Sequence, residues 1–130
     1  MYYSLFIFLA DGCHTYQNLK DAERKYDHSK ADSKCDHKLS GWYRFQGAAG
    51  TRMATTSPGR NKCGASFPAW LKGRHPKEAD GTVKRKVCIH KFDSDCDVSR
   101  LIDVKNCGSY YIYKFIEIDL SCNFRYCGTD

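Results

Sequence analysis

Alternation of large apolar and polar residues is the dominant pattern along this chain. From Thr82 to Phe92, Val83, Val87 and Ile89 fall on one side while Thr82, Lys84, Lys86 and His90 fall on the other, the period-two signature of a strand with one dry and one wet face. Gly41 to Gln46 alternates in the same way, and Gly47-Ala48-Ala49-Gly50 then turns the chain before Thr51 to Thr56, which predicts a hairpin. Ser99 to Lys105 predicts a shorter strand. Tyr110 to Ile118 carries Tyr, Ile and Phe on both sides, as expected of a central strand covered on both faces. Between Thr15 and Tyr26 the spacing changes: Tyr16, Leu19, Ala22 (or Glu23) and Tyr26 suit a short helix capped by Thr15. The chain has no heptad, internal repeat or low-complexity tract. The expected fold class is mostly β: a small single domain of short antiparallel strands and hairpins, with at most one short helix near the N-terminus.

Residues Met1 to Ala10 form a separate apolar block, too short to span a bilayer and about the length of a signal-peptide core. It lacks a basic n-region, and bulky Phe8 sits where a small residue usually precedes the cut. The block therefore reads as a truncated signal peptide or, alternatively, as an N-terminal strand. No other segment approaches spanning length, and Gly128-Thr129-Asp130 carries no apolar tail, so neither a membrane span nor a lipid anchor is expected.

Composition adds the compartment. The chain has 130 residues, 42% of them hydrophobic, enough to build a core by burial alone. Its eight cysteines (Cys13, Cys35, Cys63, Cys88, Cys96, Cys107, Cys122 and Cys127) therefore supplement a core. An even count in a short chain, with no C-x-x-C pair, points to a disulfide framework and an oxidising, extracellular setting. Spacing leaves 105 connectivities open. The same scatter argues against zinc, because Cys88-Ile89-His90 and the Cys122 to Cys127 spacing are unlike the paired ligands of a finger or ribbon. Four bridges would leave no thiol to act as a nucleophile.

Further landmarks carry a family resemblance. Trp42-Tyr43-Arg44-Phe45 is followed by Gly47, Gly50, Arg52, Met53 and Cys63, then by Trp70-Leu71 with Gly73, His75 and Pro76. Gly81, Val83, Arg85-Lys86 and Cys88 come next, and the series ends with Cys107, Tyr110-Tyr111, Tyr113, Cys122, Tyr126 and Cys127. In this order the chain from Cys13 to Cys127 resembles the eight-cysteine domain of the uromodulin-type family. The resemblance implies pairing of Cys13 with Cys107, Cys35 with Cys122, Cys63 with Cys127, and Cys88 with Cys96. Three of these close long loops, for which chain entropy gives on the order of 4 to 5 kcal/mol each. Ten-cysteine relatives place their extra pair at the positions of Ser57 and Asp95, which implies that those two residues lie close together here. The resemblance also implies a non-catalytic module of secreted or surface glycoproteins. In family members N-glycans on this region act as decoys for bacterial fimbrial lectins, but a relative's Asn-Gly-Thr segment corresponds to Lys72-Gly73-Arg74. None of Asn18, Asn61, Asn106 and Asn123 begins an Asn-x-Ser/Thr acceptor, and Asn61-Lys62-Cys63 is only the rare cysteine variant, so that activity does not transfer.

Charge supplies a candidate surface. The formal net charge is +6, favouring contact with sulfated glycans, phospholipid headgroups or nucleic acid without choosing among them. The densest basic stretch is Lys84-Arg85-Lys86, with His90 and Lys91 after it and Arg74, His75 and Lys77 before. Arg74, His75, Lys84, Arg85, Lys86, Lys91 and the aromatic Trp70 are the candidate anion- or glycan-binding residues. Strand alternation sends Arg85 away from Lys84 and Lys86, which splits the run, and a merely solvated face is the plainer reading. Trp70 to Arg74 is expected at a turn. Asp93, Asp95 and Asp97 resemble the start of a calcium loop, but Val98 and Val104 stand where an EF-hand needs Gly and Glu, so an acidic turn is expected. Trp42, Tyr43, Trp70, Tyr110, Tyr111 and Tyr113 suit a sugar-stacking platform or, more simply, a core.

The expected function is a non-catalytic extracellular binding or adhesion module. Its partner would be an unidentified protein or glycan, an anionic glycosaminoglycan among the candidates, with no specific nucleic acid, cofactor or metal. Two alternatives stand beside it. A basic secreted protein with four disulfides and scattered histidines also describes a ribonuclease-like hydrolase, although that family's Cys-Lys-x-x-Asn-Thr-Phe signature is absent. The other is an architectural spacer within a mosaic protein.

Overall fold

The computed structural model describes residues 12–29, 34–120 and 122–130. The expectation for Met1 to Ala10 lies outside the described residues. Nine strands form among the described residues: β1 Gln17–Leu19, β2 Gly41–Phe45, β3 Arg52–Met53, β4 Phe67–Lys72, β5 Thr82–Ile89, β6 Val98–Asn106, β7 Tyr111–Phe115, β8 Phe124–Tyr126 and β9 Gly128–Thr129. Seven make one sheet in the order β1-β2-β7-β6-β5-β4-β8, and β3 pairs with β9 in a small second sheet. The central pairs are antiparallel, while the two outermost, β1 with β2 and β4 with β8, are parallel. The protein is mostly β, as the alternation predicts.

The dry and wet sides of β5 fall as its sequence dictates. Val87 and Ile89 are fully buried on one face, whereas Lys84 and Lys86 are exposed on the other. Register then extends that division: Val87 lies opposite Leu71 and Ile89 opposite Ala69, both buried. Phe115 of β7 and Tyr126 of β8 stack with ring centroids 3.7 Å apart, although four strand positions separate them in the sheet. Contact across that span requires the sheet to curl, enclosing a core that also contains Phe45, Met53, Ile102, Val104, Tyr113 and Phe124. Burial of such aromatic and branched side chains, about 1.5–3 kcal/mol each, is the main stabilising term.

Three local expectations are corrected. The stretch from Thr15 to Tyr26 is not a helix: Gln17–Leu19 is a strand, followed by a single 3-10 turn at Ala22–Arg24. Leu19 is buried as an element of the sheet, so its spacing of three from Tyr16 and four to Glu23 arises without a helical face. The hairpin across Gly47 to Gly50 does not form either. A 3-10 turn at Gly47–Ala49 carries the chain out of the sheet, and Arg52 and Met53 pair instead with Thr129 and Gly128. Ser99 to Lys105 belongs to the longest strand, nine residues, because β6 pairs along nearly its whole length with β5 and then β7. Within Tyr110 to Ile118 the expected central strand does form, since β7 lies between β2 and β6 with Ile112 and Tyr113 both buried on opposite faces.

Four disulfides join Cys13 to Cys107, Cys35 to Cys122, Cys63 to Cys127 and Cys88 to Cys96. The first three tie segments 64 to 94 residues apart in sequence. A buried ion pair reinforces the second: Asp36, next to Cys35, receives Arg24 through Nη1 and Nη2 at 2.6 and 2.9 Å and the backbone N–H of Tyr126 at 2.8 Å. Arg125, also buried, donates to Asp21 at 2.6 Å. These contacts clasp the N-terminal segment to β8.

Candidate anion-binding face

The outer, convex side of the sheet is where the sequence's basic residues gather, and register decides which of them meet. In β5, Lys84 and Lys86 point outward. Lys86 is directly opposite Lys72 of β4 and Leu101 of β6, while Lys84 is opposite Asp103, which is itself opposite Lys114 of β7. Residues opposed in an antiparallel pair share a face, so Lys72, Lys84, Lys86 and Lys114 line one surface. All four are exposed. Lys84 and Asp103 form an ion pair at 2.6 Å. Lys72, Lys86 and Lys114 have no ion-pair partner among the described residues. Leu101, 60% exposed, sits within this row as an apolar spot.

Two like charges directly opposite each other weaken a sheet. An anion placed between Lys72 and Lys86 would offset this like-charge opposition.

The other candidates are placed as follows. Trp70 is in the middle of β4 and not at a turn; it is half-buried opposite Cys88, and its indole donates to the Asp95 carbonyl at 2.9 Å. It thereby pins the Cys88–Cys96 loop to the end of the outer face. Lys91 belongs to that loop, its ammonium 5.0 Å from the centroid of exposed Phe92. Arg85 alternates away from Lys84 and Lys86, and its Nε donates to the Arg74 carbonyl at 2.8 Å, holding the exposed Arg74 beside the opposite rim.

His75 is turned inward. Tyr113 Oη accepts the Met53 N–H at 2.9 Å and shares a hydrogen bond of 2.7 Å with His75 Nε2, whose direction the imidazole tautomer sets. Burial first, then the charges of Arg52 and Arg85, lower the His75 pKa to about 4. A neutral, hydrogen-bonded imidazole is poorly suited to binding an anion. Lys72 and Lys114 escape a reading of the chain because each is an isolated lysine on its own strand. Only cross-strand pairing brings them to Lys84 and Lys86.

The acidic turn forms as its residues suggest. Asp97 Oδ2 accepts the backbone N–H groups of Lys91, Phe92 and Ser94, and the hydrogen bond from Phe92 leads the causes that lower its pKa. Among the described residues no cluster of three or more His, Cys, Asp or Glu side chains has metal-binding geometry. Of the aromatics, Tyr43 and Tyr113 pack in the core, Trp42 and Trp70 are half-buried in strands, and Tyr110 stands at the sheet's margin with its hydroxyl bonded to the Cys13 carbonyl.

A curled, mostly-β sheet held by four disulfides, with an exposed lysine face and no helix among the described residues long and apolar enough to cross a membrane, defines a small cystine-stapled module. A family model described as a uromodulin-like domain matches residues 43–128, and the chain belongs to that family. Uromodulin of Mus musculus is 41% identical over 118 residues, covering 90% of this chain and 18% of that protein. The pancreatic secretory granule membrane major glycoprotein GP2 of Homo sapiens is 36% identical over 118 residues, 90% of this chain and 22% of its own length. Its counterpart in Canis lupus familiaris is 35% identical, again over 90% of this chain. The chain thus spans about a fifth of the length of the curated relatives it matches.

Proposed function

We propose that residues 13–127 form a non-catalytic extracellular binding module whose outer sheet face, centred on Lys72, Lys84, Lys86 and Lys114, recognises a linear polyanionic glycan of the glycosaminoglycan class. The observation that carries this reading is the opposition of Lys72 and Lys86, which, like Lys114 on β7, have no ion-pair partner among the described residues. Strand spacing of about 4.8 Å separates Lys72 from Lys86 on adjacent strands, with Lys114 two strands beyond Lys86, intervals that suit a sulfated or carboxylated chain lying across the strands. Leu101 offers an apolar contact for the C–H face of a sugar ring. Four bridges support an oxidising setting, and the name of GP2, a pancreatic secretory granule membrane glycoprotein, agrees with it.

Retention on immobilised heparin under a salt gradient tests the reading. Lys72→Gln/Lys86→Gln should elute at clearly lower salt than Lys38→Gln/Lys62→Gln, a control of equal net charge. Equal elution of the two would mean that retention tracks total charge and that no dedicated face exists.

A further inference from the structure

Beside β1 and β2 lies an open cleft of about 420 Å³ whose lining includes Lys20, Arg44, Gln46, Thr51, Ser109 and Tyr110. Thr51, Ser109 and Tyr110 also border an adjoining hollow of about 260 Å³. The first volume alone is within the range of small-molecule sites, about 300–1,000 Å³.

Within this cleft Arg44 is oriented without being neutralised. Its guanidinium lies 4.0 Å from the centroid of the Tyr110 ring and donates to Tyr16 Oη at 2.8 Å. The Gln46 amide, turned so that its nitrogen donates to Asn18 Oδ1 at 2.9 Å, presents its oxygen 2.8, 3.0 and 3.3 Å from Arg44 Nη1, Nε and Nη2. Both acceptors are uncharged, and they are two acceptors for five N–H donors. No carboxylate lies within ion-pair distance of Arg44 or Lys20 among the described residues. A planar donor fork held by packing, a second cation, two exposed hydroxyls and an aromatic wall therefore converge on one concave space.

We propose that this cleft is a second binding site, distinct from the lysine face, for a carboxylated pyranose of the uronic or sialic acid class. The carboxylate docks on the Arg44 fork with Lys20 beside it, because guanidinium geometry matches a carboxylate's two oxygens. Ring hydroxyls meet Thr51 and Ser109, and the apolar C–H face lies against Tyr110. Because Arg44 is already ordered by Tyr16, Tyr110 and Gln46, binding costs little side-chain freedom.

The test is a titration of the ¹⁵N-labelled chain, followed by amide shifts, with methyl β-D-glucuronide, the methyl α-glycoside of N-acetylneuraminate, and methyl β-D-glucoside as the uncharged control. Additions reach about 20 mM, enough to saturate a site with a dissociation constant of about 1 mM. At least one acid should shift the amides of Thr51, Ser109 and Tyr110 saturably, and which acid does so identifies the uronic or the sialic source. The glucoside should bind at least about tenfold more weakly, Arg44→Lys should lose about tenfold, and Lys20→Ala about threefold, in line with loss of one charge-assisted contact. If Arg44→Lys does not fold, Lys20→Ala and Ser109→Ala, both at exposed positions, carry the comparison. The proposal is overturned if neither acid shifts these amides, if the glucoside binds as well as the acids, or if the folded cleft variants bind like wild type. Lys72→Gln/Lys86→Gln should leave these titrations unchanged, so failure of the lysine face and failure of the cleft are separately visible.

Discussion

Replacing Asp36 tests the clasp between the N-terminal segment and β8. This carboxylate is 3% exposed and accepts two N–H groups from Arg24 and one from the Tyr126 backbone. Asp36→Ala would leave a guanidinium that is 5% exposed with Asp21, whose oxygen is 3.7 Å from Nε, and the Tyr126 carbonyl, 3.3 Å from Nη1. Removing one partner of a buried pair costs about 3–5 kcal/mol, and the orphaned Tyr126 N–H adds about 1 kcal/mol or more. A loss of about 4–6 kcal/mol is therefore expected, a large part of the 5–15 kcal/mol typical of a whole domain. The double variant Arg24→Met/Asp36→Leu removes both charges and fills the same space, so it should regain most of that loss. Urea unfolding with the disulfides intact is the assay, comparing midpoints at constant slope. The reasoning fails if Asp36→Ala stays within about 1 kcal/mol of wild type, or if the double variant is as unstable as the single one.

Other expectations follow from single contacts. His75 is neutral in the fold, with a pKa lowered from 6.5 to about 4, so the folded state binds fewer protons than the unfolded chain between those values. Stability should be constant above pH 6.5 and fall as pH drops from 6.5 towards 4, by about 1–2 kcal/mol once partial exposure is allowed for. His75→Gln should flatten that part of the pH profile, and an unchanged slope would remove the Tyr113–His75 bond from the explanation. At Gly128 an added Cβ would overlap the Ala49 carbonyl oxygen and come within 2.8 Å of Phe45 Cδ2. Gly128→Ala should therefore cost about 3 kcal/mol by displacing β9, and a melting temperature equal to wild type would show that the turn yields easily. Leu71 N donates to Ala54 O, and the Trp70 indole to Asp95 O, so segments leading to Ser57 and holding Asp95 both attach to β4. Ser57→Cys/Asp95→Cys should oxidise to a fifth bridge worth up to about 4 kcal/mol; two free thiols in a non-reducing peptide map would contradict it.

Much of this protein is written locally in its sequence. Period-two alternation assigned β5 and its two faces, the β-branched and aromatic run gave β7, and the cysteine count named the kind of scaffold. These features are legible because strand faces depend on neighbouring residues alone. The pairing of strands was not: Arg52 and Met53 meet Thr129 and Gly128, more than seventy positions away, because β2 is occupied on both sides by β1 and β7. The apparent helix around Leu19 failed for the same reason, since a parallel partner in β2 outweighed a weak local period. Arg24 and Asp36 carry no motif that announces a buried pair. The lysine face joins Lys72, Lys84, Lys86 and Lys114 only through register, and the cleft joins Lys20 and Arg44 to Ser109 and Tyr110 only through the placement of β2 beside β7. Sequence by itself determined which side of β5 is wet. Tertiary structure decided which wet residues become neighbours, because that choice depends on contacts between segments far apart along the chain.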